Sequence, residues 1–246
     1  MADISREGII LAGGGRALLL QLAHPSVGRG VAEHSDFANN PVGRLHGTLS
    51  YVYAVAGGTE ADVAAMRRTV NKAHAPVRGD GYTAMDPDLQ LWVAATLYQS
   101  AISIYERVYA PLAPDVAESV YREYAVLGTA LQMPESLWPA TRADFDSYWS
   151  TQLARLEVND EVREVARTLF RPKRLRLRPL MPIVRFATTA LLPENVRAMF
   201  ELRWSAGKQK RFDRLWNLVT WVYKQYPVQV RSMPRDYYLR QLRGRG

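Results

Sequence analysis

Four histidines, His24, His34, His46 and His74, are the only imidazoles in this 246-residue chain, and all lie in its N-terminal third. The chain has no cysteine. That excludes a thiolate zinc site, an iron–sulfur cluster, thiolate-ligated haem and a thiol nucleophile. The histidines fall in one dense polar patch: Leu22-Ala23-His24-Pro25, Ala32-Glu33-His34-Ser35-Asp36-Phe37, Asn40-Pro41 and Arg44-Leu45-His46-Gly47-Thr48. Further on comes Val70-Asn71-Lys72-Ala73-His74-Ala75-Pro76-Val77-Arg78-Gly79. No His-Glu-x-x-His occurs, and no histidine has a glutamate three residues before it. Zinc-protease and bundle di-iron arrangements are thereby removed. Gly13-Gly14-Gly15-Arg16 lacks both a following Lys-Ser/Thr and a preceding strand. It reads as a helix break that permits close packing rather than as a phosphate loop.

His74 carries the sharpest chemistry. Met66 and Val70 precede it at helical spacing, and no carboxylate stands three or four residues away. Such a histidine suits an axial haem ligand, and equally a structural residue of a last helical turn that complements the dipole. Arg44, Thr48 and Tyr51 lie at i, i+4 and i+7, hence on one helix face. A guanidinium, a hydroxyl and a phenol on a mostly apolar helix require either an internal hydrogen-bond network or a ligand.

The elements that must position these groups are helical. Asn40 caps a helix over about 41–56 with Pro41 at its first position, ending at Gly57-Gly58. Thr59-Glu60-Ala61-Asp62 opens a second, ending near Ala75. Asp86-Pro87 starts a third, whose Leu91, Ala94, Ala95, Tyr98, Ile102 and Tyr105 follow the spacing of a buried stripe. A fourth runs over 114–132, and Thr141-Arg142-Ala143-Asp144 caps a fifth. Short helices follow near 160–170, 194–206, 208–226 and 234–243, and no alternating strand pattern of useful length occurs. The expectation is one all-α domain over residues 1–246, with a core over about 8–170 and a basic helical cap over about 171–246.

The series His24-Pro25, His34-Ser35-x-Phe37, Asn40-Pro41, Arg44-x-x-x-Thr48 and His74-x-x-Val77-x-Gly79 resembles the MpaB and latex-clearing protein (rubber oxygenase) family. The likeness extends through Asp86–Val108 and the Leu192-Pro193-Glu194 to Trp204 region, over roughly residues 8–235. It implies a globin-like helical core with extra helices that holds one haem b. His74 would be the axial iron ligand. Arg44 and Thr48 would be the arginine and threonine beside the haem, the arginine near a propionate or ordering the pocket. His24 and His34 match histidines of the bacterial branch; one of them would lie on the distal side, where an imidazole can hydrogen-bond oxygen, with His24 lining that space and His34 lining or supporting it on the cofactor side. The resemblance also implies O2 as co-substrate. Rubber-cleaving members carry a lysine just before the threonine and a catalytic glutamate upstream of the arginine. Gly47 stands in the first place here, and Glu33 and Asp36 are the nearby upstream carboxylates. A small apolar or lipid-like substrate is therefore expected, rather than polyisoprene. A non-enzymatic haem- or lipid-binding module at a membrane surface is the alternative.

Charge is uneven. Residues 1–160 hold 12 Lys/Arg against 18 Asp/Glu, whereas residues 161–246 hold 20 against 6, a balance of +14. The basic third would meet an anionic lipid surface, nucleic acid, or the acidic front of its own chain. Lys173-Arg174-Leu175-Arg176-Leu177-Arg178 beside Pro179–Val184 suits anionic lipid. Nucleic acid is the weaker partner, because no helix-turn-helix or stacking motif stands out and prolines break the basic run. No signal sequence or bilayer-spanning run is evident, which gives a cytoplasmic protein with peripheral membrane contact as the expectation.

Overall fold

The computed structural model describes residues 1–34, 41–172 and 175–244. Helix α1 (Ala2–Ser5) and a 3-10 segment (Gly8–Gly13) lead into α2 (Gly14–Ala23) and α3 (Pro25–His34). Helices α4 (Pro41–Gly57) and α5 (Glu60–His74) form an antiparallel pair, and strands β1 (Arg78–Gly79) and β2 (Tyr82–Thr83) a minimal hairpin. The longest helix is α6 (Pro87–Tyr109), followed by α7 (Pro114–Tyr124), α8 (Val126–Thr129), α9 (Arg142–Ala154) and α10 (Asp160–Leu169). Last come α11 (Met181–Leu191), α12 (Glu194–Met199), α13 (Ala206–Gln225), α14 (Val228–Arg231) and α15 (Met233–Arg243). The chain is all-α, as its periodicity predicts.

Local chemistry explains the starts. The Asp86 side chain accepts from the Asp88 backbone N–H at 2.8 Å and Pro87 opens α6. Thr59 with Asp62, and Thr141 with Asp144, close reciprocal capping boxes at α5 and α9. Leu91, Ala94, Ala95, Tyr98 and Ile102 of α6 are buried, and α2 lays Leu19, Leu20 and Leu22 against this helix. Around Tyr98 gather Tyr121, Tyr124, Trp138 and Phe145 in edge-on contacts. A second cluster of Ile104, Val108, Ala190, Phe212 and Trp216 joins α6 to α11 and α13.

The triple glycine acts through packing. A Cβ on Gly15 would overlap the buried Thr188 hydroxyl, so α2 and α11 approach with nothing between them. Beside it Arg16 is buried with neutral acceptors: the Leu191 carbonyl at 2.9 Å, Ser100 Oγ at 2.8 Å and Gln99. Desolvation lowers its pKa to about 10.

Two expected helices are shorter. The 114–132 run divides at Ala125 and stops by Thr129, where the buried Gln90 side chain accepts from the Gln132 backbone N–H at 3.2 Å and donates to the Gln132 side-chain oxygen at 2.8 Å. The 194–206 run stops at Met199. Glu201 takes a left-handed φ of 54°, and the Leu202 N–H closes onto the Arg197 carbonyl at 2.9 Å. That is a Schellman stop built without glycine.

The basic third folds back on the front of the chain. Glu7, 3% exposed, accepts from Tyr109 at 2.6 Å, Tyr223 at 2.9 Å and Arg231 at 2.9 Å. Helix α15 lies along α4, with Tyr238 stacked on Tyr53 and 2.6 Å from His46 Nδ1.

Candidate functional site

Helices α4 and α5 run antiparallel, so the first turns of α4 meet the last turn of α5. His74 is the final residue of α5 and is half-buried. Its Nδ1 is buried and has no hydrogen-bond partner among the described residues. One turn earlier on the same face, Asn71 Oδ1 is also buried and unpartnered. Met66 is buried and Val70 half-buried on that side of the helix, where both pack into the main core. Burial first, and then the Arg44 cation, hold His74 below the ordinary histidine pKa. The ring is neutral at pH 7, which is the ligating form.

Arg44 is therefore brought to act on His74. It is exposed by surface area, yet the surrounding protein still lowers its pKa by desolvation. Thr48, one turn on along α4, is exposed. Tyr51, the third member of that face, turns inward and donates to the Leu127 carbonyl at 2.7 Å. Burial pushes its pKa up. The polar strip thus divides. Its inner end is a satisfied structural hydrogen bond, and its outer end, Arg44 and Thr48, stays at the surface, where the Arg44 cation acts on His74.

His24 and His34 lie at the ends of other helices, while His46 meets Tyr238. His24 ends α2, with its ring 6.1 Å from Trp92 on α6. His24 Nδ1 and Trp92 Nε1 are both buried without partners among the described residues, a ring nitrogen and an indole N–H donor in adjoining rings. Burial lowers the His24 pKa, and Asp86 opposes that shift. His34, at the end of α3, meets Tyr82 edge-on at 6.2 Å and lies 3.9 Å from Glu33. Tyr82 donates to the same Glu33 carboxylate at 2.5 Å, and Arg29 lies over its ring. Neither His24 nor His34 makes a hydrogen bond or ring contact with His74 among the described residues.

The β-hairpin connects these places. Val77 N–H bonds the His74 carbonyl at 2.9 Å, Ala84 N–H bonds the Val77 carbonyl at 2.9 Å, and Asp86 follows as the cap of α6. One end of the hairpin therefore hangs from the His74 turn, while its Tyr82 packs on the end of α3. Two participants were missed at the sequence level. Asn71 was legible in principle from its i−3 relation to His74, whereas Tyr82 with Glu33 was not, because their pairing crosses 49 positions. Ser35, Asp36, Phe37 and Asn40, part of the motif series, lie outside the described residues. Among the described residues, no three His, Asp or Glu side chains converge as a metal site of their own.

Comparison with known proteins gives a family and two relatives. The model described as "ER-bound oxygenase mpaB/B'/Rubber oxygenase, catalytic domain" matches residues 2–221. Uncharacterized proteins of Mycobacterium bovis and Mycobacterium tuberculosis are each 38% identical over 241 residues, covering 93% of this chain and 94% of the relative. No solved structure matches.

Proposed function

Because the chain belongs to the mpaB/rubber oxygenase catalytic-domain family, we propose that it is a haem b-dependent oxygenase acting with O2 on a small apolar or lipid-like substrate. One observation carries the haem assignment. His74 presents a neutral, half-buried imidazole at a helix end, with a buried Nδ1 that no described residue pairs. A single such histidine fits a porphyrin, which brings four of the iron's ligands itself, better than it fits a protein-only metal centre.

Haem, when bound, supplies the redox and oxygen chemistry, and the chain supplies ligation, orientation and a dry wall. His74 would hold the iron through Nε2. Asn71 Oδ1, on the same helix face, is the available acceptor for a proton on Nδ1, which would fix the ring's tautomer. Arg44, whose cation disfavours protonation of His74, would set its guanidinium against a propionate carboxylate. Thr48 adds a hydroxyl one turn along α4. His24 and His34 would line the approaches beyond the hairpin, with His24 kept neutral by burial and hence able to accept or share a proton. Met66 and Val70 on the His74 face exclude water.

The test begins with colour. Purified protein titrated with haemin should develop a Soret band at one equivalent per chain, and His74→Ala should abolish it or weaken binding at least tenfold. Stoichiometric binding retained in His74→Ala would transfer the ligand role elsewhere. A protein that stays colourless at saturating haemin would end the haem assignment. Oxygen uptake by the loaded protein with apolar alkenes or lipids then separates an oxygenase from a carrier.

A further inference from the structure

Helix α13 carries two apolar stripes. The inner one, Phe212, Trp216 and Thr220, is buried against α6 and α11. The outer one is bare: Leu215 is 46% exposed, Leu218 57%, Val219 51%, Trp221 64% and Val222 39%. Leu215, Leu218, Val219 and Val222 follow the i, i+3, i+4, i+7 rule, so they form one continuous strip rather than scattered surface residues. A bare strip of that size on a helix already anchored by its other face signals a partner.

Charge identifies the partner. Lys208, Lys210, Arg211 and Arg214 occupy the two turns before the strip, and Lys224 follows it, all exposed. The one acid of this helix, Asp213, is engaged by Arg107. Phe186 of α11 lies 6.1 Å from Phe212, and α11 with its N-cap Leu180 exposes Leu180, Ile183 and Arg185. A second copy would set two cationic rims against each other without a free carboxylate on either helix. Nucleic acid would satisfy the cations and leave the leucines, valines and tryptophan bare. A bilayer with anionic headgroups satisfies both, with the apolar strip at the acyl boundary, Trp221 at headgroup level and the cations on phosphate. Among the described residues no helix is long and apolar enough to cross a membrane, so the contact is in the membrane plane.

We propose that the outer face of α13 is a docking surface for anionic phospholipid bilayers. The proposal does not depend on haem binding. Its test uses the full chain in flotation with phosphatidylcholine vesicles and with vesicles containing phosphatidylglycerol. The protein should float with the anionic vesicles, remain largely behind with the neutral ones, and detach as salt rises. Tryptophan emission should shift to the blue on binding in the wild type, but not in Trp221→Phe. Leu218→Glu with Trp221→Glu should lower the partition coefficient by about tenfold or more, and Lys210→Glu with Arg214→Glu should lower it on anionic vesicles. All four positions are exposed, so helical circular dichroism should be unchanged and loss of binding will report the surface. Failure to float with anionic vesicles would overturn the proposal, as would undiminished binding by the Leu218/Trp221 variant. Vesicle-independent dimerisation that Leu218→Glu abolishes, or duplex nucleic-acid binding in place of vesicle binding, would overturn it too.

Discussion

Removing the Glu7 carboxylate should loosen the whole C-terminal third. Glu7 sits between α1 and the following 3-10 segment, yet its carboxylate accepts from Tyr109 at the end of α6, Tyr223 at the end of α13 and Arg231 in α14. Its side chain is 4% exposed and that of Arg231 16%. Glu7→Ala leaves a largely buried guanidinium and two phenols short of an acceptor. Breaking a buried pair from one side costs about 3–5 kcal/mol, and bonds to a charged group about 1.5–3 kcal/mol each. Arg231 keeps some access to water, which places the expected cost near the lower end, about 3 kcal/mol. For a chain of this size that lowers the melting temperature by roughly 6–12 °C. Arg231→Met alone should cost less, because the phenols still satisfy the carboxylate. The double variant should be less damaged than the sum of the singles, with a coupling of about 1–3 kcal/mol. Urea and thermal melts of the four proteins measure this. A Glu7→Ala cost below about 1 kcal/mol, or strict additivity, would refute the idea that this buried network fastens the basic third to the N-terminal body.

Two further outcomes concern the site. Tyr51→Phe should cost about 1–2 kcal/mol by leaving the Leu127 carbonyl short of its donor, with haemin affinity unchanged, whereas Thr48→Val should leave the melt unchanged and alter the haem spectrum; the reverse pattern would exchange their roles. Burial, and for His74 the Arg44 cation, hold His24 and His74 below the ordinary histidine pKa. The unfolded chain therefore binds protons that the folded chain does not. Stability should be full above about pH 6.5 and fall as pH drops through the folded-state values. Haem-free wild type should show that acid-side slope in its melting temperature, and His74→Phe should show a shallower one.

The fold was legible wherever local chemistry and burial agree. Asp86-Pro87, Thr59 with Asp62 and Thr141 with Asp144 mark helix starts by the same side-chain bonds that the structure contains. What could not be read is what depends on distant partners. The stop at Glu201 carries no glycine, and is set instead by the Leu202 to Arg197 closure. The stop before Gln132 is accompanied by Gln90, a partner 42 positions from Gln132. At the site, the 44–48–51 spacing gave the shared face correctly but not its division, because the Leu127 carbonyl that takes Tyr51 comes from another helix. The charge asymmetry was visible at once, while its internal share was not: Arg231 answers Glu7, Arg107 answers Asp213, and Arg167 answers Glu201.

These pairings change the meaning of the basic third. Arg231 of α14 is held through Glu7 to the front of the chain, and Tyr238 of α15 holds His46 within the same turns of α4 that carry Arg44 and Thr48. The chain thus runs from α13, with its bare apolar strip, through the Glu7 network, to the helix beside His74. If that strip rests on a bilayer, as proposed, the clamp ties the membrane-facing helix to the helix that carries Arg44 and Thr48. The geometry requires only that the clamp be rigid. Glu7→Ala should then weaken haemin binding as well as stability, even though Glu7 touches none of the residues around His74.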